Sequence, residues 1–243
     1  MQKLTLAHFR DMKREGRRIV GIVAWDTPTA QLAERAGVDF ISVGDSVGFN
    51  LWGRAESEPV TLDEIILVCR AVRRGAPNAV VSCDIPSDPS LTDPAAAVRA
   101  AARIAREGGA DLVKILGTVE AVKAIVKAGV PVFAEFHGEH GLPEQLADQA
   151  RALEAAGAAM LDFRHSGPVA GPAVVKAVSI PVLGGLGGGP WLDGRVRLAH
   201  TAVGYGLKWL DSKSDTYANT SKATLEAFKA LADDVRSGRQ IKG

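Results

Sequence analysis

Polar side chains in this chain keep arriving at the ends of short apolar runs. In order they are Asp26, then Asp45 with Ser46, Asp84, Lys114, Glu135, the pair Asp162 and Arg164, and a glycine run from Gly184 to Gly189. The clearest case is Val38 to Asn50, VDFISVGDSVGFN, where apolar residues run to Val43 and are followed at once by Gly44, Asp45 and Ser46. In a barrel of parallel strands the strand C-termini form the face that carries chemistry, so such a cluster is where a reacting group belongs. If these positions share one mouth, several carboxylates beside a lysine and an arginine suit a hard divalent cation such as Mg²⁺, together with an acidic, oxygen-rich substrate.

Each residue also has a structural use. Asp45, Ser46 and Asp84 are good caps for the segments that follow them. Lys114 sits between Val113 and Ile115 and so fits either a site or a buried ion pair. Glu135 lies in the apolar run PVFAEF, where a carboxylate needs a partner or a metal. Asp162 and Arg164, two apart, point to the same side of a strand and either pair with each other or bind substrate. The GGLGGG run either cradles phosphate on backbone N–H groups or permits close packing; it lacks dinucleotide spacing. His137, Glu139 and His140 do not have the spacing of a helical zinc motif and read as a polar loop tip.

The elements that must position these groups are marked by a returning phrase: helix end, glycine, β run. It appears as ERAGVDFISV, REGGADLVKI, VKAGVPVFAE and EAAGAAMLDF, and without the glycine as KAVSIPVLGG. Repetition of this αβ connection predicts a (β/α)₈ barrel of the TIM type, with a doubly wound open sheet as the alternative. The predicted strands are 18–25, 39–43, 79–83, 111–115, 131–136, 159–163, 180–183 and 196–199. An amphipathic helix at 4–15 is expected to cover the barrel bottom or a neighbouring subunit, and a long amphipathic helix at 214–237 to close the chain. Thr61 with Glu64 forms a capping box, and Asp93 before Pro94 starts another helix.

Composition narrows the function classes. A chain of 243 residues without a linker-like segment fits one domain, 1–243. Lys plus Arg at 29 against Asp plus Glu at 28 leaves no basic footprint for nucleic acid, so a small molecule is the expected partner. No apolar run has the length of a membrane span, the N-terminus lacks the pattern of a signal or transit peptide, and Cys69 and Cys83 read as buried free thiols. A cytoplasmic protein is expected.

The phrases VGDSVGFNLWG, PVTLDEIILVCRAVRRGAPNAVVSCDIP and SIPVLGG, with the later Asp193–Gly194, resemble the ketopantoate hydroxymethyltransferases (3-methyl-2-oxobutanoate hydroxymethyltransferases) end to end. That resemblance implies a (β/α)₈ barrel of the phosphoenolpyruvate mutase and isocitrate lyase superfamily and a homo-oligomer. It further implies that Asp45 and Asp84 hold Mg²⁺, that Ser46 contacts the carboxylate of a 2-oxo acid, and that Lys114 is the active-site lysine. The implied reaction enolises the oxo acid and adds a one-carbon unit from 5,10-methylenetetrahydrofolate.

At three places the chain departs from the family pattern. A metal-binding carboxylate is replaced by Leu116, a substrate-binding histidine by Glu135, and the catalytic glutamate by Arg164. Leucine binds no Mg²⁺, and arginine stays protonated. The expected compensation is Glu135 as third metal ligand, with Lys114 or Glu135 handling the proton and Ser46, Asp162 and Arg164 binding substrate. Arg164 also suggests the superfamily's arginine for a second acidic group, so a C–C or C–P lyase or mutase acting on a dicarboxylate or phosphonate is the second expectation. A barrel that has lost turnover and serves as a binding protein is the third.

Overall fold

Eight parallel strands close into a barrel in the computed structural model, which describes residues 3–56, 58–88, 93–116, 118–139, 141–213 and 216–242. The strands are β1 (Ile19–Val23), β2 (Phe40–Val43), β3 (Val80–Asp84), β4 (Leu112–Leu116), β5 (Val132–His137), β6 (Met160–Arg164), β7 (Val182–Gly184) and β8 (Gly194–Leu198), each beside the next in chain order. All eight runs expected from sequence are strands, and the open doubly wound sheet is excluded by closure. β8 begins two residues earlier than expected because Leu183 pairs with Gly194. A Cβ at that glycine would fall 2.2 Å from the Ile19 carbonyl oxygen, so only a bare backbone fits there.

Helices α1 (Leu6–Arg14), α2 (Thr27–Arg35), α3 (Val47–Leu51), α4 (Leu62–Gly75), α5 (Pro94–Arg103), α6 (Val119–Lys127), α7 (Pro143–Ala155) and α8 (Ala170–Ala177) belong to a compact unit spanning Met1–Val196. α4 starts at the expected capping box, with Thr61 Oγ accepting from the Glu64 N–H and Glu64 accepting from the Thr61 N–H at 2.9 Å. α5 starts on Asp93, whose carboxylate accepts from the Ala96 N–H at 3.0 Å.

Alternation along the strands decides what enters the barrel. The lowest inward layer is apolar: Ile19, Phe40, Val80, Leu112, Phe133, Met160, Leu183 and Val196, with Phe9 and Met12 of α1 packed beneath it. Phe40 meets Phe9 and Phe133 edge-on, at ring-centroid distances of 6.1 and 5.4 Å. α1 therefore covers the barrel bottom, one of its two expected uses. Burying each such side chain contributes roughly 1.5–3 kcal/mol. Two residues further along the same faces stand Ser42, Ser82, Lys114, Glu135 and Asp162. The interior turns from apolar to polar in one step, so the floor is rigid and the upper half is available for chemistry.

The second unit, Arg197–Gly243, holds α9 (Ala199–Val203), a 3₁₀ turn at Leu207–Trp209 and α10 (Thr220–Arg236). α10 starts later than expected because Asn219 caps it, accepting from the Lys222 N–H at 3.0 Å. The expected start at Ser214 lies outside the described residues. Leu225, Phe228, Leu231 and Val235 form an exposed apolar stripe along α10. Among the described residues no helix is long and apolar enough to cross a membrane.

Candidate active site

Lys114 is the hub of the polar half of the barrel. Its Nζ lies 3.2 Å from Asp84 Oδ2, 3.0 Å from Glu135 Oε2 and 3.7 Å from Asp162 Oδ2, joining carboxylates of β3, β5 and β6 to the ammonium on β4. The ladder brings them together: Asp84 pairs with Lys114 and Glu135 with Asp162 across neighbouring strands. Lys114 is thus in a buried cluster at the strand ends. Burial works against its charge, but the carboxylates of Asp84, Asp162 and Glu135 outweigh it and hold the ammonium protonated.

Asp84 differs from its neighbours. Burial, opposed by Lys114 but joined by repulsion from Asp45 and Glu135, pushes its carboxyl up to about 7. Among the described residues its buried Oδ1 finds no hydrogen-bond partner. Asp45 Oδ2 accepts from Ser87 N at 3.1 Å and Ser87 Oγ at 2.7 Å, which ties the loop after β2 to the loop after β3. A Cβ placed on Gly44 would lie 3.0 Å from Ser46 Oγ and 3.7 Å from Asp84 Oδ2, so the serine and the aspartate flank one bare stretch of backbone. Ser46 precedes α3 but makes no side-chain cap bond, so helix capping does not explain it.

Glu135 is the most heavily partnered carboxylate of this cluster. Besides Lys114 it accepts from Arg164 Nη1 at 2.8 Å and His137 Nε2 at 2.9 Å. Burial raises its pKa, but Lys114, His137 and Arg164 overcome this and draw it down to about 2. The residue expected as third metal ligand thus has three nitrogen donors on its oxygens. Among the described residues no three His, Cys, Asp or Glu side chains form a group able to hold a metal ion. Asp162 and Arg164 do share a strand face, but the arginine pairs with Glu135, while Asp162 Oδ1 accepts from the Gly185 N–H at 3.2 Å.

The glycine run is closely packed. Cβ atoms at Gly184, Gly188 and Gly189 would fall 2.4 Å from Leu192, 2.9 Å from the Gly184 oxygen and 2.3 Å from Trp191. His137 is not a loop tip but the last residue of β5; His140 lies outside the described residues. The signal for His137 was available, since a residue two past Glu135 shares its strand face. Among the described residues His165 is the one non-glycine with positive φ, at 51°. Its N–H donates to the Leu186 oxygen at 2.9 Å, and its Nε2 lies 3.1 Å from Glu139 Oε1. Cys69 and Cys83 are buried free thiols, as expected.

A barrel with this cluster has relatives. The family model described as ketopantoate hydroxymethyltransferase matches residues 3–240. The chain belongs to the ketopantoate hydroxymethyltransferase family. It is 36% identical to the 3-methyl-2-oxobutanoate hydroxymethyltransferase of Geobacillus kaustophilus, over 94% of this chain and 88% of that protein. It is 35% identical to the same-named protein of Moorella thermoacetica, over 98% and 95%. Among solved structures, 2,3-dimethylmalate lyase, a PEP mutase/isocitrate lyase superfamily member, has a TM-score of 0.67 at 18% identity, covering 94% of this chain and 88% of that one. Phosphonopyruvate hydrolase in complex with oxalate and Mg²⁺ has a TM-score of 0.65 at 16% identity, covering 98% and 89%. At these identities the solved structures speak for the barrel fold, and membership of the family rests on the sequence matches.

Proposed function

We propose that this protein is a cytoplasmic, Mg²⁺-dependent hydroxymethyltransferase that enolises a 2-oxo acid and joins its enolate carbon to a one-carbon unit. The observation that supports the metal is Asp84 Oδ1, buried without a partner among the described residues, on a carboxyl crowded by Asp45 and Glu135. Four carboxyl groups, Asp45, Asp84, Glu135 and Asp162, share this region with two cations, Lys114 and Arg164, and a divalent cation would favour the ionised form of the acids in excess. The donors are hard oxygens of the kind Mg²⁺ prefers. Asp45 and Asp84 are the protein residues that would hold it, with substrate and water completing the shell. Mg²⁺ supplies Lewis acidity that stabilises charge developing on the keto oxygen.

The chain's own residues divide the remaining work. Ser46 Oγ, beside Asp84 across Gly44, donates to the substrate carboxylate. Lys114 stays an ammonium and faces the developing enolate oxygen, with Glu135 and Asp162 fixing its position. Arg164 is held by Glu135, and the apolar floor below keeps water out of the lower barrel. The proposed one-carbon donor is 5,10-methylenetetrahydrofolate. The names carried by the homologues support transfer. Assembly into a homo-oligomer is also proposed, supported by the apolar stripe on α10.

A second reading draws on Arg164, whose side chain is partly exposed. It is a C–C or C–P lyase or mutase for a dicarboxylate or phosphonate. Glu135 at 2.8 Å already neutralises that guanidinium, which favours transfer. In D₂O with Mg²⁺, exchange at C3 of 3-methyl-2-oxobutanoate, followed by product formation with the folate donor, supports transfer. Fragmentation of dicarboxylate or phosphonate substrates supports the second reading. Failure of Mg²⁺ and oxalate to bind in calorimetry points instead to a barrel without turnover.

A further inference from the structure

We infer that His137 is the base that removes the proton beside the keto group, with Glu135 as the residue that positions it. This rests on the enolising reaction proposed above. Such a reaction needs an acceptor at the barrel mouth, and four of the neighbouring groups are poorly suited to the task. Arg164 stays protonated. Lys114 is ringed by three carboxylates, a setting that holds an ammonium. Glu135 is surrounded by Lys114, Arg164 and His137 and is a weak base for that reason. Asp162 is buried, with Oδ1 on the Gly185 N–H and Oδ2 turned to Lys114.

His137 meets the geometric requirements of a carboxylate-oriented base. It ends β5 on the same strand face as Glu135, and its side chain is 39% exposed, so a small substrate can reach it. An ionised carboxylate only accepts, so the 2.9 Å contact to Glu135 Oε1 makes Nε2 the protonated nitrogen. That leaves the Nδ1 lone pair as the acceptor. Arg164 is its neighbour across the β5–β6 ladder, and the His165 ring centroid lies 6.3 Å away, with Glu139 as that histidine's own partner. In the step itself the C3–H proton passes to Nδ1. The C–H electron pair becomes the C2–C3 double bond, and the carbonyl π pair moves to oxygen. The products are an imidazolium and an enolate, and in D₂O the reverse step delivers deuterium to C3.

The test follows exchange at C3 of 3-methyl-2-oxobutanoate by proton NMR in D₂O with Mg²⁺. His137→Gln is expected to slow exchange by roughly 10²–10⁴-fold, the usual worth of a positioned base, while calorimetry shows Mg²⁺ and oxalate bound as in the wild type. His137→Ala should regain exchange in proportion to added imidazole. Wild-type exchange in His137→Gln overturns the inference and leaves the enolising reaction standing. A slow His137→Ala that imidazole does not rescue, or loss of oxalate binding in both variants, assigns the histidine to structure or binding and overturns it too. If the wild type itself exchanges nothing with Mg²⁺ bound, the enolising reaction falls and the inference falls with it.

Discussion

Leu116 on β4 stands directly beside Glu135 on β5 in the barrel ladder, the leucine 68% exposed and the glutamate buried. Leu116 shares its strand face with Lys114, so a carboxylate in place of the leucine would be added at the end of the strand that carries the ammonium. The glutamate next door already has its oxygens engaged by Lys114, His137 and Arg164. In the proposed function the protein's own metal ligands are therefore Asp45 and Asp84 alone.

Leu116→Glu is accordingly expected to tighten Mg²⁺ binding by about tenfold, since affinity for a hard cation rises with the number of charged oxygen ligands. Exposure at this position keeps the change in folding stability within about 0.5 kcal/mol. Titration calorimetry of wild type and variant reads the first quantity and urea unfolding the second. Unaltered Mg²⁺ affinity in a folded variant would place the metal away from the end of β4.

Glu64 makes a pH-dependent contribution to α4. Its carboxylate accepts from Arg54 Nη1 at 3.1 Å and the Thr61 N–H at 2.9 Å, and the Arg54 guanidinium followed by the Thr61 N–H draws its pKa down to about 2. The folded value lies below the unfolded one, so the stabilisation is complete above the ordinary carboxylate range and disappears as pH falls toward about 2. Glu64→Ala should cost about 1 kcal/mol at neutral pH, the typical worth of a cap, and almost nothing near the acid end. Urea unfolding at the two pH values checks this; an equal deficit at both would show that packing, not charge, is lost.

Legibility differed between the scaffold and the site for physical reasons. The glycines in the phrases ending at Gly37, Gly109, Gly129 and Gly157 all have positive φ, so a local conformational need put a local mark in the sequence. The same holds for Thr61 with Glu64 and for Asp93. α8 lacks that glycine and instead runs into Val178 in extended conformation. Which polar groups lie at strand ends was readable, because alternation and run length are short-range properties. Their pairing was not: Arg164 chose Glu135, 29 positions away, over Asp162 on its own strand, a result of strand register. α3, five residues long, is too short to show a period, and the tight fit of Trp191 against Gly171 and Gly189 leaves no local mark.

That packing makes the glycine run a stability element. A Cβ on Gly184 would fall 2.4 Å from Leu192 Cδ1, 3.1 Å from the Phe163 oxygen and 3.2 Å from Gly188 Cα. Gly184→Ala should therefore destabilise the barrel by about 1–3 kcal/mol, the usual cost of overpacking. Thermal unfolding gives the stability, and phosphate titration distinguishes the alternative use of the loop. A fully stable variant that has lost phosphate binding would assign the loop to holding an anion.

Lys114 offers the sharpest separation of structural from chemical roles. Replacing it by methionine keeps most of the volume but leaves Asp84, Glu135 and Asp162 close together without their shared cation. Stranding buried charges in this way costs about 3–5 kcal/mol, read as a lower urea midpoint for Lys114→Met at neutral pH. The deficit should shrink on acidification, because protonating any one of the three carboxylates removes repulsion that the ammonium formerly offset. Saturating Mg²⁺ should recover part of the loss by supplying the missing positive charge. Exchange at C3 should remain impaired even in the metal-stabilised variant, since the ammonium proposed to face the enolate oxygen is gone. A Lys114→Met protein as stable as the wild type at neutral pH, and unresponsive to Mg²⁺, would mean that the three carboxylates do not depend on this lysine and that the cluster is not a charge-balanced unit.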